Sequence, residues 1–257
     1  MSSFTIHIHE ENLSIAWAKA FLASMRHPEI SPMTITVTGL NNKNIPEHIK
    51  IRNELDGFLK NNSFRSCHTV ANTIFPIRLW NRNKERDLLY QRYLRSQSQI
   101  HNDKANCNGV YFERLIAYGN GTNQLEYIIQ TYTKGNHRRS ALQASIYNPT
   151  CDATDQRQRG FPCLQQVGFS RINESELCIT GYYPKEYIFD RGYGNYLGLC
   201  RLGQFMANEM GLELAQMTCF VGVAAAGKMS KTPLRDIENK IERYVSEYET
   251  RMQGQNE

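Results

Sequence analysis

From residue 164 to residue 226 the chain passes from one secondary-structure signal to the next with almost no loop between them. LQQVGFSRI (164–172) and SELCITGYY (175–183) are two runs rich in strand-forming residues, separated by Asn173 and Glu174, the composition of a hairpin. A helical run over 196–210 follows, with Leu197, Cys200, Phe205 and Met206 on its inner face and Gly211 suited to end it. LAQMTCFVGVAAA (214–226) then reads as a buried strand. Such a succession excludes an all-helical chain. It requires a sheet and helices that share one core.

The remaining segments agree. Residues 4–9 alternate like a short strand. Asn12 or Ser14 can cap a helix running to Met25, with Ile15, Trp17, Phe21 and Leu22 inward. MTITVTGL (33–40) is a β-branched, alternating strand. Helices are expected over 46–59, 69–75 and 84–96, the last two separated by Pro76, and again over 123–132 and 234–248. Residues 96–108 read as a polar loop, 108–119 as a short segment between turns, and SALQASIYNP (140–149) as a strand. No repeat and no long linker divides the chain. The expectation is one α+β domain over residues 1–257, with a mixed, mostly antiparallel sheet packed against helices.

Composition narrows the function classes. The 257 residues are 40% hydrophobic and 21% charged, enough apolar material for an ordinary core. The net charge of +5 permits anionic ligands such as nucleotides. The basic residues are scattered, and the local group Arg78, Arg82, Lys84, Arg86, Arg92 and Arg95 reads as a solvated helix face, so nucleic acid is not the expected partner. The seven cysteines are odd in number, lack CxxC spacing and follow no apolar leader, so a reducing, cytoplasmic setting is expected. The seven histidines show no HxxxH spacing, so no metal is expected, and no run of 18 apolar residues could span a membrane.

Two residues between 157 and 211 carry recognisable chemistry. Cys163, in FPC at the head of the first hairpin strand, can be a nucleophile if nearby positive charge favours its thiolate. Asn195, after Gly194 at the start of a helix, presents a donor and an acceptor together and can read the edge of a flat heterocycle.

The order NHRRSALQASIYNP, FPC, a strand pair, GN opening a helix, then GL resembles the thymidylate synthases and their pyrimidine hydroxymethylase relatives. The likeness covers residues 109–211, while the N-terminal part agrees only in the order of its elements. It implies a thymidylate synthase-like fold and a homodimer packed through its sheets. It makes Cys163 the nucleophile that adds to C6 of a pyrimidine, and Asn195 the reader of ring N3–H and O4. Tyr111 becomes the tyrosine that assists proton removal at C5. Arg138 and Arg139 become a pair reaching across the dimer to the neighbour's ligand phosphate. Arg159 and the arginine pair are candidates for favouring the thiolate. The cofactor implied is a tetrahydrofolate carrying one carbon, with no metal.

The sequence also departs from that family. Leu164 follows Cys163 where a His is usual, and Pro184 replaces a phosphate-binding Arg. Tyr187 replaces an Asp that contacts folate, and Val223 and Ala225 replace a His and a Tyr that hold the sugar. Thr73 falls where the catalytic Glu is expected, and HPEISPM occupies the place of an Arg-bearing loop. Lys185 and Arg191 are candidates to replace the lost phosphate Arg. The first reading is therefore an enzyme of C5 methylation or hydroxymethylation on a pyrimidine nucleotide or related pyrimidine. A second is a silent relative that binds a nucleotide as a sensor or partner subunit. A third takes the likeness as accidental and the chain as an interaction protein.

Overall fold

A computed structural model describes residues 4–103, 106, 109–155 and 162–254. The chain begins with β1 (Ile6–Glu10), α1 (Leu13–Arg26) and β2 (Met33–Val37), a unit whose two strands pair in parallel. Asn12 caps α1, its Oδ1 accepting from the amides of Ser14 and Ile15 at 3.0 and 3.3 Å. The helix is buried along nearly its whole length because it lies between the sheet and further helices. In β2, Met33, Ile35 and Val37 point inward while Thr34 and Thr36 do not, the period-two pattern of a sheet with one covered face.

Helices fill the next stretch: α2 (Ile49–Asn61), α3 (Cys67–Ile74), α4 (Asp87–His101), α5 (Tyr111–Ile116) and α6 (Gln124–Thr133). Three expectations are corrected here. Helix α4 runs on to His101, through residues read as loop, because Leu89, Tyr90 and Tyr93 bury one face of it. Residues 108–119 contain α5, whose Phe112, Leu115 and Ile116 enter the core. The strand expected over 140–149 shrinks to β3 (Gln143–Ser145), since Asn148 caps the single-turn α7 (Pro149–Asp152) and Arg139–Ala141 form a 3-10 turn. The Gln124 carboxamide closes the outer edge of β3, accepting from the Ser145 amide at 2.9 Å and donating to its carbonyl at 2.7 Å.

The hairpin is present as expected. β4 (Gln166–Arg171) pairs antiparallel with β5 (Glu176–Tyr187), with Asn173 Oδ1 accepting from the Ser175 amide at 2.9 Å in the turn. A π-helical turn, Ile188–Gly192, then leads into α8 (Tyr193–Glu209), three residues earlier than the sequence indicates. Gly211 follows with a φ of 68°, and β6 (Glu213–Ala225) returns parallel to β5. Helix α9 (Arg235–Gln253) packs on α1 and α2. The strand order is β1-β2-β6-β5-β4-β3, a mixed sheet within one α+β domain.

Two features of this fold shape the centre of the molecule. Helix α8 lies against β5 and β6 on one side and α3 on the other. Gly194 and Gly198 permit the second contact. A Cβ at Gly194 would come 2.5 Å from Val70 Cβ, and one at Gly198 2.9 Å from the Ala71 carbonyl oxygen. The second feature is a break in β5. Leu177, Ile179, Gly181 and Tyr183 alternate inward, but after Pro184 it is Glu186 that is buried while Lys185 is exposed. The neighbouring β6 breaks at the same level, with Val221 and Ala224 buried and two residues between them. A carboxylate is thereby turned into the interior beside the first turn of α8. On the opposite face of the sheet Tyr182 and Phe220 are each 39% exposed, with ring centroids 5.8 Å apart.

Candidate functional site

Cys163 lies in the short segment before β4. That segment is held on both sides. The Gln165 amide donates to Tyr182 O at 2.9 Å, and its carbonyl accepts from Ile146 and Tyr147 at 2.8 and 3.1 Å. Leu164 is wholly buried and faces the position a Cβ on Gly181 would occupy, so the residue after the cysteine is a core side chain. Cys163 itself is exposed.

Tyr111 opens α5, with its hydroxyl near the backbone of Leu164 and Cys163. Burial pushes that hydroxyl well above the usual phenol range, and negative charge on Cys163 would push it further. Tyr183, fully buried on β5, is within electrostatic reach of Tyr111, Glu186 and Cys163. Its hydroxyl has no hydrogen-bond partner among the described residues.

Glu186 is the group the sequence reading did not identify. It is 3% exposed and has no cationic partner among the described residues; its carboxylate accepts from Asn195 Nδ2 at 2.7 Å and from the Tyr196 hydroxyl at 3.0 Å. Burial raises it to about 7, against the lowering effect of those two hydrogen bonds. Asn195, 4% exposed, is the third residue of α8 and caps nothing, so its carboxamide is committed to the site.

Although Cys163 is exposed as a residue, the atoms crowded around its sulfur desolvate the thiol and push it upward, and the charge of Glu186 adds to this. Arg191 and Lys228 pull the other way. At neutral pH the resting group is therefore the thiol, served by two cations that would favour the thiolate. Lys228 was not marked by the sequence reading. Asp190, buried and raised by that burial, accepts from the Lys228 backbone amide and leaves Oδ1 without a partner.

Tyr111 and Arg191 thus lie within electrostatic reach of Cys163, and Asn195 is tied to that group through Glu186. Others do not join it. Lys185 reaches away to Glu29, with Nζ 2.9 Å from Oε1. Arg138 and Arg139 are exposed at the 3-10 turn before β3, and Arg139 begins that turn instead of a strand. Arg159 lies outside the described residues. Thr73 turns its hydroxyl onto Val70 O at 2.7 Å in its own helix, so α3 supplies no carboxylate at that position. Where a folate-contacting carboxylate is expected, the Tyr187 ring stands instead, with the ammonium groups of Lys185 and Lys228 6.0 and 5.9 Å from its centroid. These residues do not fit a folate contact of the expected kind.

Among the described residues no group of three or more His, Cys, Asp and Glu side chains is placed to hold a metal ion, and no helix is long and apolar enough to cross a membrane. No protein-family model matches the chain, and no curated protein sequence matches it.

Proposed function

We propose that the protein carries out one-carbon transfer, methylation or hydroxymethylation, at C5 of a pyrimidine nucleotide or related pyrimidine, in the manner of the thymidylate synthases that its sequence resembles. One observation supports this reading: Tyr111, Arg191, Lys228 and Glu186 lie within electrostatic reach of the Cys163 thiol, and Asn195, 32 residues after Cys163 in the chain, is hydrogen-bonded to that same Glu186.

The chemistry assigned to this chain begins when the Cys163 sulfur bonds to ring C6. The C5=C6 π pair moves toward the C4 substituent, and C5 becomes nucleophilic. Arg191 and Lys228 stabilise the thiolate before attack. Asn195 holds the ring edge, and the Tyr111 hydroxyl, within electrostatic reach of Cys163, assists proton removal at C5. C5 bonds to the one-carbon electrophile and then loses its proton; the electron pair left behind expels the Cys163 thiolate from C6, and the exocyclic carbon takes up water to give hydroxymethyl or a hydride from the donor to give methyl. A tetrahydrofolate is the donor that the resemblance implies, although Tyr187 withholds the usual carboxylate contact. The ligand phosphate is assigned to Arg191 and, in a homodimer packed through the open sheet face, to Arg138 and Arg139 of the neighbour. The setting expected for such chemistry is the cytoplasm.

The test is exchange of the C5 hydrogen with solvent across uridine and cytidine nucleosides, their mono-phosphates and the free bases. Exchange with one of them, lost in Cys163→Ala, supports the reading. A second reading, a silent relative that binds a nucleotide as sensor or partner subunit, is favoured by the upward displacement of the Cys163 thiol, the reverse of an activated nucleophile. It expects ligand-dependent stabilisation with no exchange and no effect of Cys163→Ala on binding.

A further inference from the structure

The pairing of Asn195 with Glu186 has a consequence for which ring can be read. An ionised carboxylate only accepts hydrogen bonds. The atom of Asn195 that stands 2.7 Å from Glu186 Oε1 must therefore be the amide nitrogen, and the carboxamide oxygen must face elsewhere. The Tyr196 hydroxyl occupies the other carboxylate oxygen at 3.0 Å. Both partners are on α8 and both are buried, as is the carboxylate itself. An asparagine free to rotate by a half-turn reads donor–acceptor and acceptor–donor edges alike. One fixed in this way offers its remaining N–H and its oxygen in a single order.

We infer that Glu186 locks the Asn195 carboxamide in one orientation and thereby makes the site discriminate between 4-oxo and 4-amino pyrimidines. These two classes carry donor and acceptor in opposite order along the N3–C4 edge. Uracil-type rings present N3–H and O4, and cytosine-type rings present N3 and an amino group. This inference rests on the pyrimidine reading given under Proposed function. Glu186 acts through Asn195 and is a positioning residue.

The lock is complete while Glu186 is ionised. Once protonated, the carboxyl can donate as well as accept, and both orientations of Asn195 become satisfiable. The titratable groups facing Glu186 are Tyr196 from α8, Cys219 from β6, Tyr183 on its own strand and Cys163 ahead of β4. Burial raises every one of these, so they remain protonated near neutrality while Glu186, at about 7, changes charge.

Two measurements on the intact chain test the inference. The first needs no ligand: the side-chain amide protons of Asn195, followed by NMR from pH 5.5 to 8.5 and assigned with Asn195→Ser. They are expected to shift with a midpoint near that of Glu186, and to lose the shift in Glu186→Gln. The second is the ratio of affinities for the uridine and cytidine monophosphates, ribose and deoxyribose forms both included. At pH 8.5 the ratio is expected to be roughly 10- to 100-fold, the usual worth of a bidentate edge contact. It should fall toward unity at pH 5.5 in the native protein, and at all pH values in Glu186→Gln, chiefly because the weaker ligand gains. The native pH series alone suffices should Glu186→Gln not fold. Asn195 signals indifferent to pH and to Glu186→Gln overturn the lock. A titrating Asn195 with an unchanged affinity ratio overturns the discrimination and leaves the pyrimidine reading standing. A titrating Asn195 with no pyrimidine nucleotide bound overturns both.

Discussion

Asn195 Nδ2 stands 2.7 Å from Glu186 Oε1, joining the first turn of α8 to the far end of β5 across nine residues of chain. The contact exists because β5 changes its inward parity at Pro184 and because the π-helical turn before α8 brings Asn195 back over the strand. It ties the residue expected to read a ring to a carboxylate that pairs with no cation among the described residues.

That carboxylate makes stability depend on pH. Glu186 binds its proton more tightly folded, at about 7, than at the ordinary 4.5. Between those values the native state holds more protons than the unfolded one, so stability falls as pH rises through the window. The contribution is complete below about 4.5 and is lost by the time pH passes 7. Its size is about 3 kcal/mol by linkage. Glu186→Gln should flatten this part of the curve, so that the native protein gains relative to the variant as pH drops from 7.5 to 5. Urea unfolding at several pH values reads it, and parallel curves for the two proteins contradict it.

Close helix packing gives a second expectation. A Cβ at Gly194 would meet Val70 Cβ at 2.5 Å, whereas a Cβ at Gly57 in α2 meets nothing within 4 Å. Gly194→Ala is expected to cost about 2–3 kcal/mol by overpacking. Gly57→Ala should stabilise by about 0.5–1 kcal/mol through helix propensity. Denaturant midpoints of the two variants should move in opposite directions.

These positions show what the sequence could and could not reveal. The hairpin, α1 with its Asn12 cap, β2 and the terminator Gly211 were legible because periodicity and capping chemistry are local. The short β3 was not, because Asn148 and Pro149 start a helical turn that alternation alone does not show. Cys163, Tyr111 and Asn195 were singled out through a resemblance in the order and spacing of motifs. Glu186 was missed because Pro184 looks like the end of a strand, and its burial depends on a parity change that only the β5–β6 pairing creates. Lys228 was missed since its effect on Cys163 is purely spatial.

The Cys163 thiol should alkylate slowly at neutral pH. Burial and Glu186 raise it, while Arg191 and Lys228 lower it. Iodoacetamide modification, mapped to Cys163 by mass spectrometry, is expected to accelerate above pH 9. Lys228→Gln should slow it several-fold at fixed pH, since removing the cation raises the thiol further. A rate already maximal at pH 7 in the native protein contradicts this picture.

The open sheet face bears on assembly. Tyr182 and Phe220 form an exposed aromatic pair on adjacent strands. If two chains pack through this face, Tyr182→Lys together with Phe220→Lys should convert a dimer to a monomer in sedimentation, with the fold retained by circular dichroism. An unchanged sedimentation coefficient contradicts a dimer through the sheets.

The most direct measurement is release of hydrogen from C5 of a pyrimidine nucleotide. The native protein is expected to exchange the C5 hydrogen of at least one uridine or cytidine monophosphate with solvent. Cys163→Ala should abolish that exchange, and Tyr111→Phe should slow it roughly 10²-fold. No exchange with any pyrimidine across the panel, or exchange that survives Cys163→Ala, contradicts the assignment of Cys163 as the nucleophile.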